Sequence, residues 1–191
     1  MVLSSKNILR KKILKERQQL SNKEWQLKSN LICDRLQNSS LFIQANIIFA
    51  YFSFRKEANL SSLFSLNKVW AFPRCIDKSL VWHLWKPGEE LIIDKYGIEI
   101  PLKTAPVVSV VSADLILVPT VACDRQGYRL GYGGGFYDRL FASAKCSNVC
   151  TIGITFDFAL IEQLPIDTWD MKLDYICTET KLTNHKIFNK Y

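Results

Sequence analysis

Between Arg129 and Arg139 the chain reads R-L-G-Y-G-G-G-F-Y-D-R, which places four of its eight glycines, Gly131, Gly133, Gly134 and Gly135, within five positions. Glycine has no Cβ, so such a loop reaches left-handed conformations and lets several backbone N–H groups close on one anion. That geometry suits a phosphate. Phe136, Leu140, Phe141 and Ala144 follow at helical spacing, so the loop is expected to open a helix whose N-terminal dipole favours negative charge. Two common nucleotide signatures are absent: no Lys-Ser or Lys-Thr follows the glycines, and Phe136 stands where G-x-G-x-x-G needs its last glycine. Glycine content alone fits a tight strand-to-helix turn that binds nothing as well as it fits a phosphate cradle. The flanking charges favour the cradle. Arg129 can hold a phosphate oxygen, while Asp138, one turn into the helix, would repel phosphate unless a magnesium ion bridged them; as a bare helix-dipole partner it would do neither.

Elements that could position this loop are spread along the chain. Residues 6–20 read as a helix with Leu9, Ile13 and Leu20 on one face; Lys6, Arg10 and Arg17 flank that stripe, whereas Lys11, Lys12 and Lys15 point to solvent. Lys6 and Arg10 are therefore the better anion candidates. Ser21 with Glu24 makes a capping box for a second helix ending near Gln37. Strands are expected at 47–52, at 69–72 with Pro73 as the stop, at 79–85, at 113–118, at 149–154 and near 175–178, with a helical pattern through Leu60, Leu63 and Phe64. Residues 89–112 read as irregular. Strands alternating with helices imply an α/β layered fold, one domain over 1–191, with a largely parallel central sheet flanked by helices and a basic helical arm over 1–38. Ligands of such sheets sit at the carboxyl ends of the strands, where Glu57 and Arg74 would also emerge.

Composition excludes several classes. With 191 residues, 48% hydrophobic, the chain can bury one good core, and no apolar stretch is long enough to span a bilayer, so a cytoplasmic, membrane-free protein is expected. Six scattered cysteines without a CxxC read as reduced packing residues, with Cys146 and Cys150 the only close pair. The net charge of +7 is local: residues 1–35 hold nine Lys or Arg against three acids, leaving +1 for everything else. A basic arm on a neutral body fits an RNA-binding attachment or a clamp for an anionic substrate, and charge alone does not separate them. No Ser-His-Asp or Cys-His arrangement is evident, and His83 reads as a strand residue.

Taken together, these motifs resemble the 5-formyltetrahydrofolate cyclo-ligase (5,10-methenyltetrahydrofolate synthetase) family. The resemblance runs through Lys6-x-x-x-Arg10, Tyr51-Phe52-Ser53 with Glu57, Phe72-Pro73-Arg74, Tyr96-Gly97-Ile98 and Asp114-Leu115-Ile116. Its most specific parts are Asp124-x-x-Gly127-x-Arg129 through Arg139, and Asp170-x-x-Leu173-Asp174-x-Ile176-x-Thr178-Glu179. The chain departs from the family's usual pattern at Ile100, Thr120, Cys123 and Trp169. The resemblance implies an ATP-dependent ligase of folate and one-carbon metabolism that cyclises 5-formyltetrahydrofolate to 5,10-methenyltetrahydrofolate and releases ADP and phosphate. It implies ATP binding by Lys6, Asn7, Ile8, Leu9 and Arg10 and by Arg129, Leu130, Gly131, Tyr132, Gly133, Gly134, Gly135, Phe136 and Tyr137. Phe52, Glu57 and Tyr132 to Phe136 would bind the folate, Asp138 and Asp170 would bind magnesium, and Arg10, Arg129, Tyr132 and Asp138 would carry the catalysis. A monomer with no nucleic-acid partner is expected. The alternatives are a nucleic-acid-binding protein using the basic arm, and a related ATP-dependent enzyme with a different second substrate.

Overall fold

The computed structural model describes residues 5–143, 146 and 148–185. Its chain opens with α1 (Ser5–Gln19), α2 (Asn22–Gln37) and α3 (Ser40–Gln44). The expected capping box sets the turn into α2: the Glu24 N–H donates to Ser21 Oγ (3.2 Å) and the Ser21 N–H donates to the Glu24 carboxylate (2.9 Å), pairing two otherwise orphaned amides. On α1, Ile13 is buried, and Leu9 and Leu14 pack with it against Val121, Leu130 and Leu164, while Lys11, Lys12 and Lys15 face solvent.

The strands that follow are β1 (Ile47–Phe49), β2 (Val69–Ile76), β3 (Ser79–Leu84), β4 (Leu91–Ile93), β5 (Glu99–Pro101), β6 (Val107–Val108), β7 (Leu115–Pro119), β8 (Ala122–Asp124) and β9 (Arg129–Leu130). Next come α4 (Phe136–Phe141), β10 (Cys150–Ile154), β11 (Leu160–Ile161), β12 (Tyr175–Cys177) and β13 (Leu182–Asn184). Eight of these strands form one sheet in the order β13-β12-β10-β7-β1-β2-β3-β6. Its inner strands from β12 to β2 are parallel, and antiparallel β13 on one side and β3 with β6 on the other close the edges. This is the largely parallel α/β sheet expected. Central β7 shows why its sequence is continuously apolar: Leu115 and Leu117 join the cluster on one face, and Ile116 and Val118 the cluster on the other.

Strand order fixes where a ligand can sit. From β1 the chain goes to β2 on one side, while β7 lies on the other, so the connections leaving the carboxyl ends of β1 and β7 diverge and open a crevice. The first connection carries Glu57. The second leads through β8 and β9, part of a small sheet β11-β8-β9, into the glycine loop and α4.

Several local expectations are corrected. Pro73 does not end β2, which continues to Ile76. Ala71 O accepts from Ala50 N–H on the β1 side (2.9 Å), and alternation turns Pro73 to that same side, where β1 has already ended and no donor is required. Residues 60–64 form only the short 3₁₀ turn Ser61–Leu63, begun when Asn59 Oδ1 accepts the Ser61 N–H (3.0 Å). The stretch 89–112 is not irregular throughout: β4 and β5 make a hairpin, turned by Asp94, whose Oδ1 accepts from Tyr96 and Ile98 N–H (2.7 and 3.0 Å), and β6 joins the main sheet. Helix α4 spans six residues, and Ala144, expected on its face, lies outside the described residues.

The turn after β8 depends on one carboxylate. Asp124 is fully buried; its Oδ1 accepts from Gln126 and Tyr128 N–H (2.9 and 3.0 Å) and its Oδ2 from Leu164 N–H (3.0 Å). Asp124→Ala would take the acceptor from three amides, that of Leu164 in the interior, so urea unfolding is expected to show a loss of about 3 kcal/mol.

Candidate active site

At the crevice lies a cleft of about 610 Å³. One wall is the loop after β1, with Tyr51, Phe52 and Glu57; the other is the segment Arg129–Asp138; the α1 residues Lys6 and Arg10 and the turn carrying Asp167, Trp169 and Asp170 close one end.

The Glu57 wall is built by an unusual turn. Arg55 and Lys56 both adopt left-handed backbone (φ 48° and 55°), which costs non-glycine residues about 1–3 kcal/mol each and persists only where neighbours enforce it. Here they do. Glu57 O accepts from Trp25 Nε1 (2.7 Å) and Ser53 Oγ (2.8 Å), and Lys56 Nζ donates to Gln18 O (3.3 Å), so the α1–α2 corner clamps the loop. The result turns the Glu57 side chain into the cleft although the residue is only 5% exposed. Burial pushes its pKa from 4.5 up to about 7, opposed by the Arg17 cation, the Phe54 N–H (3.0 Å to Oε2) and the Tyr132 hydroxyl. The folded protein thus holds this proton more tightly than the unfolded chain does. The contribution of Glu57 to stability is fully present below pH 4.5 and is lost as pH rises to about 7. Glu57→Gln is therefore expected to gain melting temperature relative to the wild type between pH 5 and pH 8, an outcome thermal unfolding at the two pH values checks. Beside Glu57, Phe52 stacks on Phe72 (4.1 Å between ring centroids) and meets the Trp85 ring edge-on, a rigid apolar floor.

The opposite wall is the glycine loop. Gly133 and Gly135 have φ of 101° and 66°, and no side chain caps the start of α4 at Gly135, so backbone amides there keep their donors for an anion. Arg10 lies over the loop: Nε donates to Gly131 O (2.7 Å), and a Cβ on Gly133 would lie 3.7 Å from the guanidinium. Its other hydrogen bond goes to neutral Asn7 Oδ1, and among the described residues it forms no ion pair. Burial lowers its pKa without changing its charge at neutral pH. Among the described residues this half-buried cation meets only neutral oxygens, which prepares it for an anion. Arg129 differs: buried, with Nη2 on Asp138 Oδ1 (2.7 Å) and Nη1 on Met171 O (3.0 Å), it is already compensated. Arg139 folds back onto Lys78 O (2.7 Å) and Gly134 O (2.9 Å), and Arg74 donates to Pro101 O, so both spend donors on the protein itself.

Lys6 sits between Asp167 (2.6 Å) and Asp170, and Asp170 also accepts the Asp167 N–H (2.7 Å). Burial disfavours the ammonium there, and the two carboxylates more than offset it, leaving its pKa raised. This pins the start of α1 to the Asp167–Asp170 turn.

Of the residues singled out in the sequence, Lys6, Arg10, Phe52, Glu57, every residue from Arg129 to Asp138, and Asp170 line this one cleft. Asn7, Ile8 and Leu9 do not, because successive helical positions rotate them away from it: Ile8 is exposed and Leu9 packs beneath α1. Tyr96 lines the cleft and is half exposed, whereas Trp82 is buried against Phe49 (4.6 Å) and His83 Nδ1 lies 2.7 Å from Ala105 O. Sequence reading missed Asp167 and passed over Arg17, which continues the Lys6–Arg10 face two turns later and lies beneath the cleft.

Known proteins resemble this chain in both sequence and shape. The 5-formyltetrahydrofolate cyclo-ligase of Escherichia coli K12 is 33% identical over 105 residues, which covers 54% of this chain and 58% of that protein, less than two thirds of its length. The Haemophilus influenzae protein of the same name is 32% identical over 138 residues, 68% of this chain and 74% of that one. The solution structure of Aquifex aeolicus 5,10-methenyltetrahydrofolate synthetase superposes with a TM-score of 0.86 at 29% identity, covering 98% of this chain and 96% of that one. The Mycoplasma pneumoniae 5,10-methenyltetrahydrofolate synthetase, at 23% identity and a TM-score of 0.73, shares the fold over 92% of this chain. Residues 2–179 match the sequence model of one family, and with the cleft described above they settle the placement: the chain belongs to the 5-formyltetrahydrofolate cyclo-ligase family.

Proposed function

We propose that this protein converts 5-formyltetrahydrofolate to 5,10-methenyltetrahydrofolate at the expense of ATP. The observation that carries the reading is that one cleft joins an uncompensated Arg10 over a glycine loop to a buried Glu57 carboxyl on a stacked aromatic floor. Phosphates and a pterin ring need those two walls. Arg10 and the backbone amides from Gly133 onward would hold the β- and γ-phosphates, with Lys6 at the mouth. Ionised Glu57 would accept paired N–H donors of the ring, and Phe52 would support its face.

The chemistry needs positioning more than a nucleophilic side chain. A formyl amide is a poor electrophile, and ring closure must expel its oxygen. The formyl oxygen attacks the γ-phosphorus, the bond to the β-phosphate oxygen breaks, and ADP leaves. The side-arm nitrogen then attacks the formyl carbon and gives up its proton to the departing phosphate as the carbon–oxygen bond breaks, and phosphate leaves with the former formyl oxygen. Charge develops on the phosphoryl oxygens, where donors from Arg10 and the loop are already fixed in place.

Magnesium suits the donor set. Asp138 and Asp170 both line the cleft and offer hard carboxylate oxygens, which magnesium shares readily with substrate phosphates. Asp138 and Asp170 would hold it, and it would neutralise phosphate charge when bound.

Incubation of the purified protein with ATP, magnesium and 5-formyltetrahydrofolate, followed at the near-ultraviolet band of the methenyl product, tests the reading. Product that requires ATP supports it; absence of both product and folate-stimulated ATP hydrolysis overturns it. The nucleic-acid alternative, based on the basic arm, predicts salt-dependent RNA or DNA binding without ATP turnover.

A further inference from the structure

Two turns beyond Arg10 on α1, Arg17 lies 3% exposed beneath the cleft. Its Nη1 donates to Thr120 O just past β7 (3.1 Å), its Nη2 donates to the Tyr132 hydroxyl, and its guanidinium carbon stands 5.7 Å from the Tyr132 ring centroid. No carboxylate of the described residues is within ion-pair distance, and its Nε is buried without a hydrogen-bond partner. A buried cation so placed is costly unless an opposite charge lies close behind its first contacts. That charge is Glu57.

The Tyr132 hydroxyl accepts from Arg17 and so keeps its own proton to give; the Tyr132 ring lies 6.1 Å from the ring of Phe54, whose N–H holds Glu57 Oε2 at 3.0 Å, so Tyr132 and the Glu57 carboxylate share one end of the cleft. Arg17 thus leaves the Tyr132 proton available to Glu57. The groups facing Glu57 are Arg17 from α1, Tyr132 from the glycine loop, Tyr51 from the end of β1, Tyr137 from α4 and the Phe54 N–H of its own loop. Arg17 alone among them is charged. Tyr132 is also the second residue of the loop over which Arg10 lies, so the phosphate wall and the carboxylate wall share one hydroxyl.

We propose that Arg17 is a positioning residue that acts through the Tyr132 hydroxyl to keep Glu57 ionised and oriented toward the substrate ring. The proposal rests on Glu57 as the ring-binding carboxylate, but the charge on Glu57 is measurable without any substrate. Carbon-13 NMR titration of the Glu57 carboxyl in the full chain, free of nucleotide, is the direct test. Arg17→Met is expected to raise the Glu57 midpoint by about one pH unit and Tyr132→Phe by about half of that, with Arg17→Lys in between. In turnover assays of the Arg17 variants the acid limb of kcat/KM for 5-formyltetrahydrofolate should move upward by the same amounts, while kcat at high pH and saturating folate stays within about threefold. A purely structural Arg17 would instead lower kcat at every pH without moving the limb.

Midpoints that shift by less than about 0.3 unit in both Arg17→Met and Tyr132→Phe would overturn the proposal. If Arg17→Met does not fold, Tyr132→Phe, which removes one oxygen, decides alone. A shifted midpoint combined with an unchanged folate KM in Glu57→Gln would uphold the Arg17 assignment and remove the ring-binding role from Glu57, so the two readings fail separately.

Discussion

Replacing Arg10 with alanine is expected to lower kcat/KM for ATP by about a hundredfold, the scale of losing one fixed cation at developing phosphoryl charge, while the protein remains folded. Arg10 is half-buried, unpaired by any carboxylate of the described residues, and bonded to Gly131 O and Asn7 Oδ1, both neutral. Its removal therefore strands no buried charge. The loss should fall on the nucleotide: KM for 5-formyltetrahydrofolate is expected to change little. Arg10→Lys should recover only a small part, because a lysine cannot hold Gly131 O through Nε and reach a phosphate with a planar fork at once. Steady-state kinetics with each substrate varied in turn checks this, and a near-wild-type rate would show that the phosphates do not lie under α1.

Asp138→Ala should be as damaging for a different reason. Asp138 Oδ1 holds Arg129 Nη2 at 2.7 Å, and the Arg129 side chain is 4% exposed between the Tyr137 and Phe141 rings. Removing the carboxylate leaves a buried guanidinium unpaired, a loss of about 3 kcal/mol, and loosens the junction between the glycine loop and α4. Turnover is expected to fall by about a hundredfold or more. Asp138→Asn separates the two effects. Its amide oxygen can still accept from Arg129, so unfolding in urea should return most of the way to wild type, whereas turnover at saturating ATP and magnesium should not. Recovery of both would make Asp138 a structural partner of Arg129 and remove it from the reaction.

Both residues were visible in the sequence, and their surroundings were not. Helical spacing places Lys6 and Arg10 at the edge of the α1 apolar stripe, and the glycine cluster before an amphipathic turn marks a phosphate-sized loop; these are local signals. What escapes local reading is pairing across the fold. Asp138 looks like a metal ligand beside an arginine that is free to bind phosphate, but nine residues apart they close on each other because β9 and α4 fold back to back. Lys6 and Asp170, 164 residues apart, meet only when the Asp167–Asp170 turn reaches the start of α1.

The same distinction holds for the fold. Long apolar runs such as 113–118 read correctly as covered strands, because burial on two faces leaves no room for polar alternation. Two- and three-residue strands such as β8, β9 and β11 carry too few side chains for any period to show. Pro73 misleads for a clearer reason: the rule that proline ends a strand assumes both edges are paired, and β1 stops short of it. Arg17 reads as one more cation flanking the α1 stripe until Tyr132 and the buried Glu57 behind it are seen.

The central claim is that the formyl oxygen itself takes the γ-phosphoryl group in this cleft. Turnover of 5-formyltetrahydrofolate carrying oxygen-18 in the formyl group, with mass analysis of the released phosphate, measures that transfer. One labelled oxygen in each phosphate, formed with one methenyl product per ATP consumed, is the result predicted. Unlabelled phosphate, or methenyl product formed without ATP, would contradict it.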